Sequence, residues 1–217
     1  QYNDVYTTLG INAAHDDLET QDSASASLKK QSGTFDEISG TYGLTFDKRN
    51  RSFMPTDGSI ISFSQSLPIY ADKSFISNTL SASTYRTITE DVIGATKIYL
   101  SAINGLGSDD VRLSKRRALS GSRLRGFEKG KVGPLDGKDH IAGNYAAALN
   151  FEANLPNFFP EATQTDIGFF LDFGNVWGVD YDSSLDDSNK IRSSTGVIAN
   201  WMSPVGPMNF VFSQNIS

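Results

Sequence analysis

The residues best equipped for chemistry lie in one glycine-rich stretch, Gly121-Ser122-Arg123-Leu124-Arg125-Gly126-Phe127-Glu128-Lys129-Gly130. It sets a guanidinium and an aromatic ring on either side of Gly126, where a backbone without Cβ can approach another chain closely. Arg125 can donate a forked pair of hydrogen bonds to a carboxylate, so a loop tip of this kind can fold back into a polar cavity and be held there. Glu152 and Asp172 are acids that could instead serve as the paired carboxylates of a glycosidase, but no further sugar-cleft signature accompanies them. Ser122, Asp139 and His140 are close in sequence only, His15 lies far away, and no G-x-S-x-G elbow fixes them as a hydrolytic set. The chain has no cysteine and two histidines far apart, a poor start for a metal cage, and its glycine-rich turns lack the Gly-Lys-Ser/Thr phosphate cradle. No metal, cofactor or catalytic residue is therefore expected.

The elements that must position the loop follow from composition and period. Across 217 residues only 38% are hydrophobic, lean for a soluble core of this size. No apolar run reaches the roughly 18 residues of a membrane-spanning helix. No signal peptide opens the chain, which leaves missing termini as an expectation. A formal net charge of -6 argues against nucleic acid as a partner. The positive charge is local: nine of the 19 Lys and Arg fall between Arg112 and Lys138. Lys115, Arg116 and Arg117 among them read as a solvated surface cluster.

A two-residue alternation dominates. Tyr145, Ala147, Leu149, Phe151, Ala153 and Leu155 form one face, against Asn144, Ala146, Ala148, Asn150, Glu152 and Asn154. Similar runs follow at 166–174, 191–201 and 208–213, with weaker ones near 3–14, 34–47, 58–68, 74–86 and 92–104, which makes nine strands. Parity puts Glu152 and Asp172 on the small, polar face. Loops at about 15–33, 105–143 and 176–190 are long and charged, whereas the connections at 48–57, 87–91, 156–165 and 202–207 are mostly shorter and rich in Pro and Gly. Long loops at one end, short turns at the other and an apolar face opposed by a small polar one are what a transmembrane β-barrel requires, and lipid forces such a sheet to close. Trp177, Tyr181 and Trp201 near strand ends suit a membrane interface. A soluble sandwich, with its apolar face packed on a second sheet, has the same periodicity.

Four segments together resemble the BamA outer-membrane assembly factors of the bacterial surface-antigen superfamily. They are Asn50-Arg51-Ser52-Phe53-Met54-Pro55-Thr56-Asp57-Gly58; Leu124-Arg125-Gly126-Phe127 with Val132-Gly133-Pro134; Phe169 to Trp177; and Trp201-Met202-Ser203-Pro204-Val205-Gly206-Pro207. Their order and spacing fit the family across nearly the whole chain. The resemblance implies strands seven to fifteen of a sixteen-strand antiparallel barrel, with the periplasmic domains, the first strands and the last strand absent, so that residues 1–217 form one partial barrel domain. It also implies that the loop at about 105–143 folds into the lumen, where Arg125, Gly126 and Phe127 form its anchor and Glu152 and Asp172 receive it. Phe53, Pro55, Thr56 and Gly58 read as a structural turn, with Pro55 setting φ and Gly58 taking a special conformation. Leu124 replaces a common valine, and Gly178 stands where an acid commonly follows the tryptophan.

By this resemblance the protein is a non-enzymatic insertase of the bacterial outer membrane. Its partners would be nascent outer-membrane β-barrel proteins, accessory assembly lipoproteins and outer-membrane lipids. A related secretion-transporter barrel shares the loop motif, and a soluble ligand-binding β-sheet module is the alternative from another class.

Overall fold

The structure is a computed structural model, and it describes residues 4–156, 158–160, 163–185 and 187–217. Nine long strands form one antiparallel sheet: β1 (Val5–Leu18), β2 (Gly33–Asp47), β3 (Gly58–Ala71), β4 (Phe75–Thr89), β5 (Val92–Gly105), β8 (Tyr145–Leu155), β9 (Thr165–Trp177), β10 (Arg192–Ser203) and β11 (Gly206–Asn215). Each pairs with its sequence neighbour in the order β1-β2-β3-β4-β5-β8-β9-β10-β11, so β1 and β11 are the two edges of an open sheet. One helical turn, α1 (Ala26–Lys29), lies between β1 and β2. The long segment between β5 and β8 carries a two-strand hairpin, β6 (Leu135–Asp136) with β7 (Asp139–His140), where the sequence reads only as loop.

Several strands outrun the alternation that announces them. β1 continues to Leu18 although Asp16 and Asp17 break the apolar pattern, because Asp16 and Asp17 still pair with Phe35 and Thr34. Backbone pairing persists past the point where lipid would dictate side-chain polarity. Residue 3, read as the start of the first strand, lies outside the described residues, as do 157, 161 and 162 of the turn read over 156–165.

Burial separates the barrel from the sandwich. Leu9 and Ile11 are each 79% exposed and Phe212 is 71% exposed, while Asp172 and Ser194 are 0% exposed. A sandwich core would bury the apolar face and wet the polar one. Here the apolar face looks outward, as lipid-facing strands do. The polar face is the covered one, because the β5–β8 loop lies against it. Leu119, Leu124 and Val132 of that loop pack with Ala146, Ala148 and Val176 of the sheet.

Strand register turns the inner face into rows. Lys97 opposes Asn150, Asn150 opposes Asp172, Asp172 opposes Ser194 and Ser194 opposes Asn215. The adjacent inner row runs Ala95, Glu152, Phe170, Gly196, Ser213. Tyr99, Ala148, Gly174 and Arg192 form the row on the other side of the first. Directly opposed residues share a face, so three rows from five strands present one continuous surface to the loop.

Candidate functional site: the loop tip on the inner wall

Arg125 spans the first two rows. Its Nε donates to Asp172 Oδ2 at 2.7 Å, its Nη2 to Asp172 Oδ1 at 2.6 Å and its Nη1 to Glu152 Oε1 at 2.8 Å. The backbone N–H of Arg125 adds a bond to Asp172 Oδ2 at 3.0 Å. Asn150 donates to Asp172 Oδ1 at 2.8 Å and, through the same nitrogen, to the Arg123 carbonyl at 2.8 Å. Asp172 thus accepts from four donors, the full capacity of a carboxylate. Lys97 Nζ meets Glu152 Oε2 at 2.7 Å, so two cations balance two anions where an unpaired charge would be costly. Burial works against the Arg125 charge, but the bonds to Asp172 and the proximity of Glu152 outweigh it and hold its pKa above the usual guanidinium range.

The rest of the tip is fitted by shape. The Arg125 guanidinium carbon lies 3.8 Å from the centroid of the Phe170 ring. Ser194 Oγ donates to the Arg125 carbonyl at 2.5 Å, fixing the chain just before Gly126. Gly126 has φ of +87°, and a Cβ there would collide with Asn215 Oδ1 and stand 3.0 Å from Ser213 Oγ on β11. Leu124 is buried over Gly174, where an added Cβ would come within 2.8 Å of Leu119 and 3.2 Å of Leu124. Phe127 packs half-buried against the same apolar cluster. Gly178 is explained likewise: any Cβ would stand 2.6 Å from the Tyr145 ring.

The base of the loop differs from the sequence reading. Lys115, Arg116 and Arg117 are engaged with the wall or with neighbouring loops. Lys115 pairs with Glu37 at 2.5 Å, Arg116 is buried against Asp180 at 3.1 Å, and Arg117 donates to Ser77 Oγ. Burial pushes the Arg117 pKa down. The acids that neutralise the first two come from strands and loops distant in sequence, which is why a local reading leaves these cations in solvent. Val111 N–H also donates to Asp180 Oδ2 at 2.5 Å. Asp109 takes the Ser74 N–H at 3.1 Å and Lys73 Nζ at 3.1 Å, and these bonds hold its pKa below the ordinary carboxylate value. Tyr181 is no interfacial residue: it packs beside Leu28, Ile141 and Val179 with the Arg116 guanidinium carbon 4.8 Å from its ring.

Phe170, Asn150, Ser194 and Lys97 escaped the sequence reading. Parity places each on the inner face, and that was the available signal. Four loop arginines also lie over aromatic rings: Arg112 on Phe35 and Arg123 on Tyr99, each at 3.4 Å, beside Arg116 on Tyr181 and Arg125 on Phe170.

The turn at 48–57 is built by Asn50. Its Oδ1 accepts from the N–H groups of Thr56 at 3.1 Å and Asp57 at 3.3 Å, and its Nδ2 donates to Thr56 Oγ1 at 2.6 Å. Gly58 has φ of +96°, and a Cβ would collide with the Lys48 carbonyl oxygen. Phe53 and Pro55 line an inner cavity of about 500 Å³ that Arg125 and Glu152 also line, so the turn and the loop tip face one space.

Comparison with known proteins agrees with this architecture. Residues 1–217 match the Omp85 superfamily domain. The outer membrane protein assembly factor BamA of Neorickettsia risticii is 25% identical over 209 residues, covering 94% of this chain and 28% of that protein. A mouse sorting and assembly machinery component 50 homolog is 27% identical over 168 residues, 73% of this chain and 35% of that protein. The chain thus spans about a third or less of the length of these relatives. The crystal structure of BamA from Haemophilus ducreyi lacking POTRA domains 1-3 superposes with a TM-score of 0.87 at 23% identity, over 99% of this chain and 48% of that one. With the family match running the full length of the sequence, the chain belongs to the Omp85 superfamily as a BamA-type outer-membrane β-barrel.

Proposed function

We propose that the chain forms part of the barrel of an outer-membrane insertase, a non-enzymatic machine that helps nascent β-barrel proteins fold into the membrane. The observation that carries this reading is the loop tip itself: Arg125 is hydrogen-bonded to Asp172 and Glu152 of the inner wall in a chain similar to named assembly factors. A loop fixed by a neutralised charge set keeps the wall in one shape. The cluster does no bond-making; Arg125, Gly126 and Phe127 anchor, Glu152 and Asp172 receive, and the turn of Phe53, Pro55, Thr56 and Gly58 bounds the cavity beneath. Accessory lipoproteins and outer-membrane lipids are the proposed further partners.

The test is replacement of the full-length protein in cells by an Arg125→Ala variant. A broad fall in the outer-membrane levels of other barrel proteins, at normal levels of the variant, supports the insertase. Loss of one exported protein with other barrels unchanged would point to a secretion transporter and overturn it.

A further inference from the structure

Lys115, Arg116, Arg123 and Arg125 of the β5–β8 loop are met by acids or ring faces, whereas Arg112 keeps two guanidinium nitrogens spare. Arg112 lies at the base of the loop with its side chain 6% exposed. Its Nη1 reaches Asp16 Oδ2 only at 3.4 Å, and its Nε and Nη2 are buried with no hydrogen-bond partner among the described residues. Stacking on Phe35 at 3.4 Å covers one face of the guanidinium but satisfies none of its N–H groups. Buried donors of this kind are ordinarily paired.

Arg112 lines a chamber of about 450 Å³ with Lys30, Gln31 and Lys73. Lys30 is exposed and enters no hydrogen bond or ion pair among the described residues. Gln31 spends its Oε1 on the Leu113 N–H at 2.7 Å, which leaves its Nε2 donor available. Of the acids on the chamber wall, Asp180 is committed to Arg116 and the Val111 N–H, and Asp110 is exposed to solvent. Burial lowers the Arg112 pKa against the pull of Asp16, Glu37 and Asp72, as expected of a cation short of close partners.

We propose that this chamber is an oxyanion site that takes a phosphate group between Arg112, Lys30 and Gln31. A guanidinium edge beside an ammonium and an amide donor matches the several acceptor oxygens of a phosphate. Two sources share that chemistry: free inorganic phosphate and the phosphate monoester of a lipid headgroup.

The full-length protein in detergent is titrated with inorganic phosphate at constant ionic strength, following broadening of the phosphorus resonance. Wild type is expected to broaden it saturably, and Arg112→Gln to abolish the effect. Lys30→Gln, on an exposed residue and so safe for folding, should weaken binding roughly tenfold, the worth of one charge-assisted bond. Adding phosphatidic acid in mixed micelles separates the sources: displacement of phosphate marks the headgroup as ligand, and no displacement marks the free anion. Absence of saturable broadening in wild type, or equal binding by wild type and Lys30→Gln, overturns the site.

Discussion

The ring of Phe170 occupies the space that a side chain at Gly196 would need. The two residues oppose one another across β9 and β10, and a Cβ built at Gly196 stands 2.8 Å from Phe170 Cε1 and collides with the Phe212 carbonyl oxygen. The ring thus packs close over the Gly196 backbone and underlies the Arg125 guanidinium, whose carbon is 3.8 Å from the ring centroid. Gly196→Ala is expected to displace the ring and lower stability by about 1 to 3 kcal/mol, the usual cost of forcing extra volume into a packed site. Denaturant unfolding of the full-length protein in detergent measures it; an unchanged midpoint would remove Phe170 as a support for the loop.

The two wall carboxylates should not be equivalent. Asp172 is fully buried and accepts both arms of the guanidinium fork, while Glu152 shares its charge between Arg125 and the partly exposed Lys97. Asp172→Asn is expected to cost about 3 kcal/mol or more, as when one partner of a buried pair is removed. Glu152→Gln should cost less, about 1 to 2 kcal/mol, because an amide oxygen can still accept from Arg125 Nη1. Paired unfolding curves give the order, and a larger effect at Glu152 contradicts it.

Gly126 lies against β11, so the loop and an edge strand of the sheet are joined. A Cβ at Gly126 would stand 3.2 Å from Ser213 Cβ and collide with Asn215 Oδ1, at a φ of +87° that L side chains rarely adopt. Gly126→Ala is therefore expected to lift the tip from β11 and lower the stability of the full-length protein in detergent by about 1 to 3 kcal/mol, read by denaturant unfolding. An unchanged midpoint would mean that the tip does not rest on β11.

Tyr181 offers a pH readout. Burial, reinforced by the Asp136 carboxylate that its hydroxyl faces at 3.2 Å, outweighs nearby Arg116 and raises its pKa from 10.0 to about 12. A phenol whose folded pKa is raised contributes stability that is complete below the unfolded value and is lost as pH rises through the folded one. The packing of Tyr181 with Leu28, Ile141 and Val179 should therefore hold to pH 10 and loosen between about 10 and 12. The phenolate difference spectrum between wild type and Tyr181→Phe should show the missing group titrating near 12; a missing transition near 10 would mean that the ring is solvated.

Much of this architecture is written in residue order. The alternation of Leu149 and Phe151 with Asn150 and Glu152 specifies a two-faced strand, since successive side chains leave a strand on opposite sides. The same rule places Asp172 on the face that meets the loop. Gly126, Arg125 and Phe127 mark the tip for a local reason: a positive φ, a forked donor and a ring can be recognised one residue at a time. What periodicity could not decide was which face is buried, because it is identical for a sheet against lipid and a sheet against another sheet. The loop's return onto the polar face settles that, and contacts far apart in sequence set it. Lys115 finding Glu37, Arg116 finding Asp180 and Phe170 finding Gly196 are decided by register and chain path. Pairing energies between distant residues depend on distance and burial, and neither exists until the sheet has formed.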